Sequence, residues 1–178
     1  VIDESQIILA QDWIGQCSLV GWFASEKLNG CRAYWDGKSF WTRAGNKIQV
    51  PRSFARNLPD MHLDGEIHAG RGIGFGNENS AYKIAMRAVV HGEKWLTPDI
   101  TFTAFDAPQV KGSWLERTST VPGRFRLQWQ AIKSPFGLVN YMANLRKLGA
   151  EGACFRNPNE TKYSAGRTGN LLRWKFEK

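Results

Sequence analysis

Apolar residues recur at alternate positions, or in short unbroken runs, at residues 19–25, 31–35, 39–42, 63–68, 100–105, 125–132, 152–156 and 171–176. A period of two places one set of side chains on one face of a pleated strand, so these stretches predict strands, mostly antiparallel. Two stretches carry the helical period instead. One is 80–90; the other is 136–148, where Leu138, Tyr141, Met142, Leu145 and Leu148 share a face and Pro135 stands where a helix starts. The result is an α+β pattern, sheets with helices packed outside, and not the repeated βαβ unit of a dinucleotide-binding fold.

Composition agrees with a folded domain. Hydrophobic residues make up 42% of the 178 positions and aromatic residues 12%, with eight tryptophans, enough to build one sizeable core. Lys and Arg outnumber Asp and Glu by 24 to 16, a net charge of +8 that favours a polyanionic partner such as nucleic acid. Basic residues are spread along the chain, so charge alone fits a soluble basic surface equally well. Cys17, Cys31 and Cys154 form no Cys-x-x-Cys pair, which speaks against a zinc knuckle or a disulfide framework and for reduced, partly buried thiols. No apolar run approaches the ~18 residues of a spanning helix, so no membrane partner is expected. Val1-Ile2-Asp3-Glu4 does not read as a signal peptide.

The glycine-rich stretch 70–76 invites a phosphate-loop reading, but no Gly-Lys-Ser/Thr follows it, and a flexible loop accounts for it better. Sharper chemistry lies elsewhere. In Glu26-Lys27-Leu28-Asn29-Gly30-Cys31-Arg32, a lysine precedes a glycine turn and a strand-like run. A lysine amine attacks only when neutral, and neighbouring cations, of which Arg32 is the first, favour that form. Five further strings each join a charge or an aromatic to a strand edge: Arg43 beside a turn, Leu63-Asp64-Gly65-Glu66, Phe105-Asp106, Glu151-Gly152 and Arg173-Trp174-Lys175. Alternation puts Arg173 and Lys175 on one face. Taken singly, each string also suits a turn, a core aromatic or a solvated face.

Taken in order, the strings resemble the collinear motifs of the covalent nucleotidyltransferases, the DNA ligases, RNA ligases and mRNA capping enzymes. The resemblance covers nearly the whole chain and is strongest to small bacterial and phage ATP-dependent DNA ligases, through Ser25-Glu26-Lys27-Leu28, Arg32 to Gly37, Leu63 to Glu66, and Tyr163 with Gly166-Arg167. It implies an ATP-grasp-like nucleotidyltransferase domain of mostly antiparallel sheets flanked by helices. It also implies that ATP is the nucleotide and nicked double-stranded DNA the partner of a monomer. Lys27 would attack the α-phosphate and carry AMP covalently, with Arg173 and Lys175 on that phosphate. Ser25, Glu26, Arg32, Glu66 and Phe105 would complete the nucleotide site, Phe105 by stacking on adenine and Glu66 by accepting from the ribose hydroxyls. Arg32, Arg43 and Arg167 would take the 5′-phosphate of the nick. Glu151, with Glu66, would hold Mg²⁺ or Mn²⁺. The catalytic set is then Lys27, Asn29, Arg32 and Lys175.

The chain departs from the family pattern in two ways. Asn29 stands where the family usually has aspartate, which leaves two alternatives open: an RNA ligase, or a nucleic-acid-binding relative without turnover. A capping guanylyltransferase would use GTP in place of ATP. Family ligases also continue past the last motif into an oligonucleotide-binding barrel, whereas this sequence stops at Lys178. The expectation is a nucleotidyltransferase domain over 1–178 without the barrel.

Overall fold

The computed structural model describes residues 6–70, 81–92, 95 and 100–176. Among these residues ten strands form two five-stranded sheets. The first contains β1 (Ile8–Asp12), β2 (Phe23–Glu26), β8 (Trp129–Ala131), β9 (Gly152–Arg156) and β10 (Gly166–Lys175), in the order β1-β10-β9-β2-β8. The second contains β3 (Gly30–Asp36), β4 (Phe40–Thr42), β5 (Lys47–Ile48), β6 (His62–His68) and β7 (Thr101–Asp106), in the order β5-β4-β3-β6-β7. Every named pairing is antiparallel except β1 with β10. The chain therefore begins in the first sheet, crosses to the second between Glu26 and Gly30, and returns after β7.

Each sheet has its own core. Inward residues of the second sheet, among them Ala33, Trp35, Phe40, Leu63, Ile67 and Phe102, pack with Ala88 of helix α2 (Ala81–His91). Inward residues of the first, including Ala24, Ala153, Phe155 and Leu172, pack with Met142 and Leu145 of helix α4 (Pro135–Lys147). Helix α4 starts where Pro135 predicts, because Ser134 accepts from the Gly137 N–H and Pro needs no partner for a missing one. Leu148 is the C-cap of α4 and half exposed, so the apolar face ends three residues earlier than the sequence pattern suggests.

Four elements escape the periodicity argument: β1, β5, α1 (Arg52–Ala55) and α3 (Trp114–Ser119). The last has a signal in the sequence, because Ser113 and Glu116 form a reciprocal capping box. The expected strand 125–132 is cut to three residues, since Leu127 and Phe125 pair across to Ala104 of β7 before the chain turns into β8. Strand β10 begins at Gly166, five residues before the expected start. Residues 71–76 of the glycine-rich stretch, and Ser80 of the expected helix, lie outside the described residues. Cys31 is buried and Cys154 half-buried, as expected, but Cys17 is exposed.

Candidate active site

A cleft of ≈ 190 Å³ is lined from both sheets. Lys27 occupies the three-residue link that carries the chain from β2 to β3, so it stands at the seam. Its N–H continues the first sheet's ladder by donating to the Gly152 carbonyl at 3.0 Å. Three residues on, Gly30 opens β3. A Cβ there would run into the Ile67 carbonyl and His68, so only glycine lets β3 lie close to β6 at this point. The Gly30 N–H then donates to Glu66 Oε1 at 3.1 Å, which ties the Lys27 link to the second sheet.

Glycine does the same for Glu151. A Cβ on Gly152 would collide with the Trp174 carbonyl, so its absence lets β9 sit against β10 and sets Glu151 beside two lysines. Lys27 Nζ lies 2.6 Å from Glu151 Oε2, and Lys175 Nζ lies 3.1 Å from Oε1.

The arginines are each engaged elsewhere. Arg32 forks onto Asp64 through Nε and Nη2, both at 2.6 Å, donates to the Ile8 carbonyl at 3.0 Å, and places its guanidinium 4.6 Å from the Phe105 ring centre. Arg173 Nε donates to Asp12 at 2.6 Å, and Arg167 Nη1 to the Ala10 carbonyl at 2.5 Å. Arg43 lines the cleft from the exposed turn after β4, and Ser25 and Glu26 line it from β2. Asn29 is half-buried in the link, is not among the lining residues, and makes no side-chain hydrogen bond among the described residues.

This arrangement corrects the expected electrostatics. The sequence places Arg32, Arg173 and Lys175 together as a crowd of cations around Lys27. In the structure the nearest charge to Lys27 is an anion, and the two arginines are neutralised by Asp64 and Asp12. Phe105 likewise meets a guanidinium across its ring. Burial pushes the Glu66 carboxyl up to about 7 despite the opposing charges of Arg32 and Lys27 and the Gly30 N–H. Burial opposes the charge on Arg32, but Asp64 more than compensates and holds its pKa above the ordinary value. Asp12 is held below the usual carboxylate range by its hydrogen bond and charge pairing with Arg173.

Strand β1, missed in the sequence, supplies partners for three cleft arginines at alternate residues, Ile8, Ala10 and Asp12. Behind Phe105 lies another feature that periodicity does not show: Asp106 binds Arg117 through both oxygens and also pairs with Arg156, while Glu160 sits 3.5 Å from Arg117 and 3.3 Å from Arg156. All four are buried. Asp64 and Asp106 are cross-strand partners, so β6 and β7 carry two buried carboxylates side by side, each matched to its own arginines.

No family model matches the chain. It is 28% identical over 182 residues to a DNA ligase of Haemophilus influenzae, a match that takes in 97% of this chain and 64% of that ligase. Among solved structures it superposes on a Lig E DNA ligase, from a study of DNA binding with a minimal scaffold, with a TM-score of 0.77 and 25% identity, over 99% of this chain and 70% of that one. The chain has the fold of a DNA ligase nucleotidyltransferase domain. The fold is shared with the Chlorella virus DNA ligase-adenylate, at a TM-score of 0.76 and 21% identity over 97% of this chain and 67% of that one. The chain spans just under two thirds of the Haemophilus relative's length.

Proposed function

We propose that this domain adenylylates itself on Lys27 with ATP and passes the AMP to the 5′-phosphate of a nick in duplex DNA. The observation that carries the proposal is the placement of Lys27 at the seam of the two sheets, on the cleft, with Glu151 at 2.6 Å. An ammonium must lose its proton before it can attack, and Glu151 is the group within reach to take it. The Lys27 Nζ–P bond then forms as the bond from the α-phosphorus to the pyrophosphate oxygen breaks, and pyrophosphate leaves. The phosphoramidate nitrogen no longer carries a positive charge, so Glu151 is released from that ion pair. In the second step the 5′-phosphate oxygen attacks the same phosphorus, AMP moves to the DNA, and Lys27 takes back a proton.

Lys175 and Arg173 suit the α-phosphate, where they would offset charge that develops during attack. Arg173 must first exchange Asp12 for phosphate. Arg32, Arg43 and Arg167 suit the nick 5′-phosphate, for which a guanidinium offers a fork. Glu66 suits the ribose hydroxyls, from which it would accept, and Phe105 suits adenine, on which it would stack. Among the described residues no three His, Cys, Asp or Glu groups converge on one point. Glu151 and Glu66 instead offer the one or two carboxylates that suit Mg²⁺ shared with nucleotide phosphates, whose charge such an ion neutralises. A net charge of +8 fits a DNA partner. We further propose that the unit acts as a monomer and that residues 1–178 make up the nucleotidyltransferase part of the ligase.

Incubation with α-labelled ATP and Mg²⁺, followed by a denaturing gel, tests the proposal. The expected result is a labelled, acid-labile band that Lys27→Ala abolishes and that GTP produces poorly. No label on the wild-type protein, or label retained by Lys27→Ala, would refute it.

A further inference from the structure

Tyr163 belongs to none of the catalytic or binding roles above, yet its hydroxyl sits at the junction of three strands. It donates to Asp64 Oδ2 at 2.7 Å and accepts from the Ile8 N–H at 2.8 Å. Asp64 Oδ2 is the oxygen that also receives Arg32 Nη2, and the same Nη2 donates to the Ile8 carbonyl. The hydroxyl therefore closes a ring that runs from β1 through Tyr163 and Asp64 to Arg32 and back to β1. Three of the five N–H groups of Arg32 are spent inside this ring, and the two on Nη1 have no partner among the described residues.

We propose that Tyr163 is a positioning residue: through Asp64 and Ile8 it holds the Arg32 fork in the orientation that presents its free N–H groups to the 5′-phosphate of the nick. This rests on the function proposed above. A carboxylate can meet a guanidinium end-on or side-on, and two oxygens fully committed on one side leave a single orientation. Without the hydroxyl, Asp64 Oδ2 loses a donor, the Ile8 N–H is left unpaired at the edge of the sheet, and the carboxylate is free to rotate. The charge on Arg32 stays the same while its direction is lost. The effect should fall on phosphate capture more than on adenylylation at Lys27.

Tyr163→Phe removes one oxygen and little else. The measurement is single-turnover AMP transfer from preformed adenylylated protein to nicked duplex, beside the rate of adduct formation with ATP and the melting temperature. The expected result is a rise in the apparent KM for nicked duplex of about fivefold or more, with adduct formation within about twofold of wild type and melting nearly unchanged. A structural role alone would lower melting and slow both steps together, which overturns the proposal. Arg32→Lys keeps the charge but not the fork and should give the same transfer defect with Tyr163 intact. If Arg32→Lys transfers AMP normally, the orientation of Arg32 does not matter, and the proposal falls whether or not Tyr163→Phe folds. In the double variant the two effects should not add, since one acts through the other; additive losses would also overturn it. Wild-type protein that forms no adduct refutes the proposed function, whereas an adduct transferred equally well by Tyr163→Phe refutes only the role of Tyr163.

Discussion

Glu66→Gln should make the domain more stable at pH 8 while damaging the proposed nucleotide site. Glu66 is half-buried on β6, takes the Gly30 N–H, and has its carboxyl pushed by burial from an ordinary 4.5 to about 7. A carboxyl with a raised folded pKa binds its proton more tightly in the folded than in the unfolded chain. Between about 4.5 and about 7 the folded state therefore holds more protons, and stability falls as pH rises through that window. Below the window both states are protonated and the cost is absent; above it both are ionised and the cost is complete. The change from 4.5 to about 7 corresponds to about 3.4 kcal/mol at most, and the partial exposure of the side chain brings this toward about 2 kcal/mol. Glutamine has the same shape, can still accept from Gly30, and does not titrate. Urea unfolding of both proteins at pH 5, 6, 7 and 8 measures the effect. The curves should nearly coincide at pH 5 and separate progressively, with the variant more stable by about 2 kcal/mol at pH 8. A difference that does not change with pH would refute the argument, because a group with no raised pKa contributes no slope. Weaker ATP labelling of the same variant would show that the wild type keeps a destabilising carboxylate for its function.

Asp106→Asn should cost about 3–5 kcal/mol in urea unfolding, because it removes one of two carboxylates from a buried group of four charges and leaves a guanidinium uncompensated; a loss below about 1 kcal/mol would mean that Arg117 and Arg156 find other partners. Gly152→Ala should destabilise by more than about 2 kcal/mol and abolish adenylylation, since its methyl group meets the Trp174 carbonyl and forces β9 away from β10, and Glu151 away from Lys27. Normal labelling of that variant would show that Glu151 does not depend on the close strand pairing.

Much of this was legible in the chain itself. Strands β3, β6, β7 and β9 and helices α2 and α4 carry periodicity strong enough to be placed within a residue or two, because a half-buried strand or helix must repeat its apolar positions at the period of its backbone. Of the charged strings from Lys27 to Lys175, Lys27, Arg32, Arg43, Glu66, Phe105 and Arg173 line one cleft, whereas Glu151 and Lys175 are not among its lining residues. Helix α3 was missed, although a local signal for it, the Ser113–Glu116 capping box, is present in the sequence.

Charge partnership was not legible. Arg32 meets Asp64, Arg173 meets Asp12 and Lys27 meets Glu151 across separations of 32, 161 and 124 residues, and no local pattern specifies such pairs. Strand β1 is short and pairs in parallel with a strand at the far end of the chain, so its place as the support of three arginines exists only once β10 has formed. The buried group around Asp106 is similar: Arg117, Arg156 and Glu160 lie far from Asp106 or from one another in the sequence, and only the tertiary fold brings them to one point. Residue types and their order along the chain set which chemistry was available; which charges stand free to use it was decided by packing, because electrostatic pairing depends on distance in space and burial, neither of which is written in sequence separation.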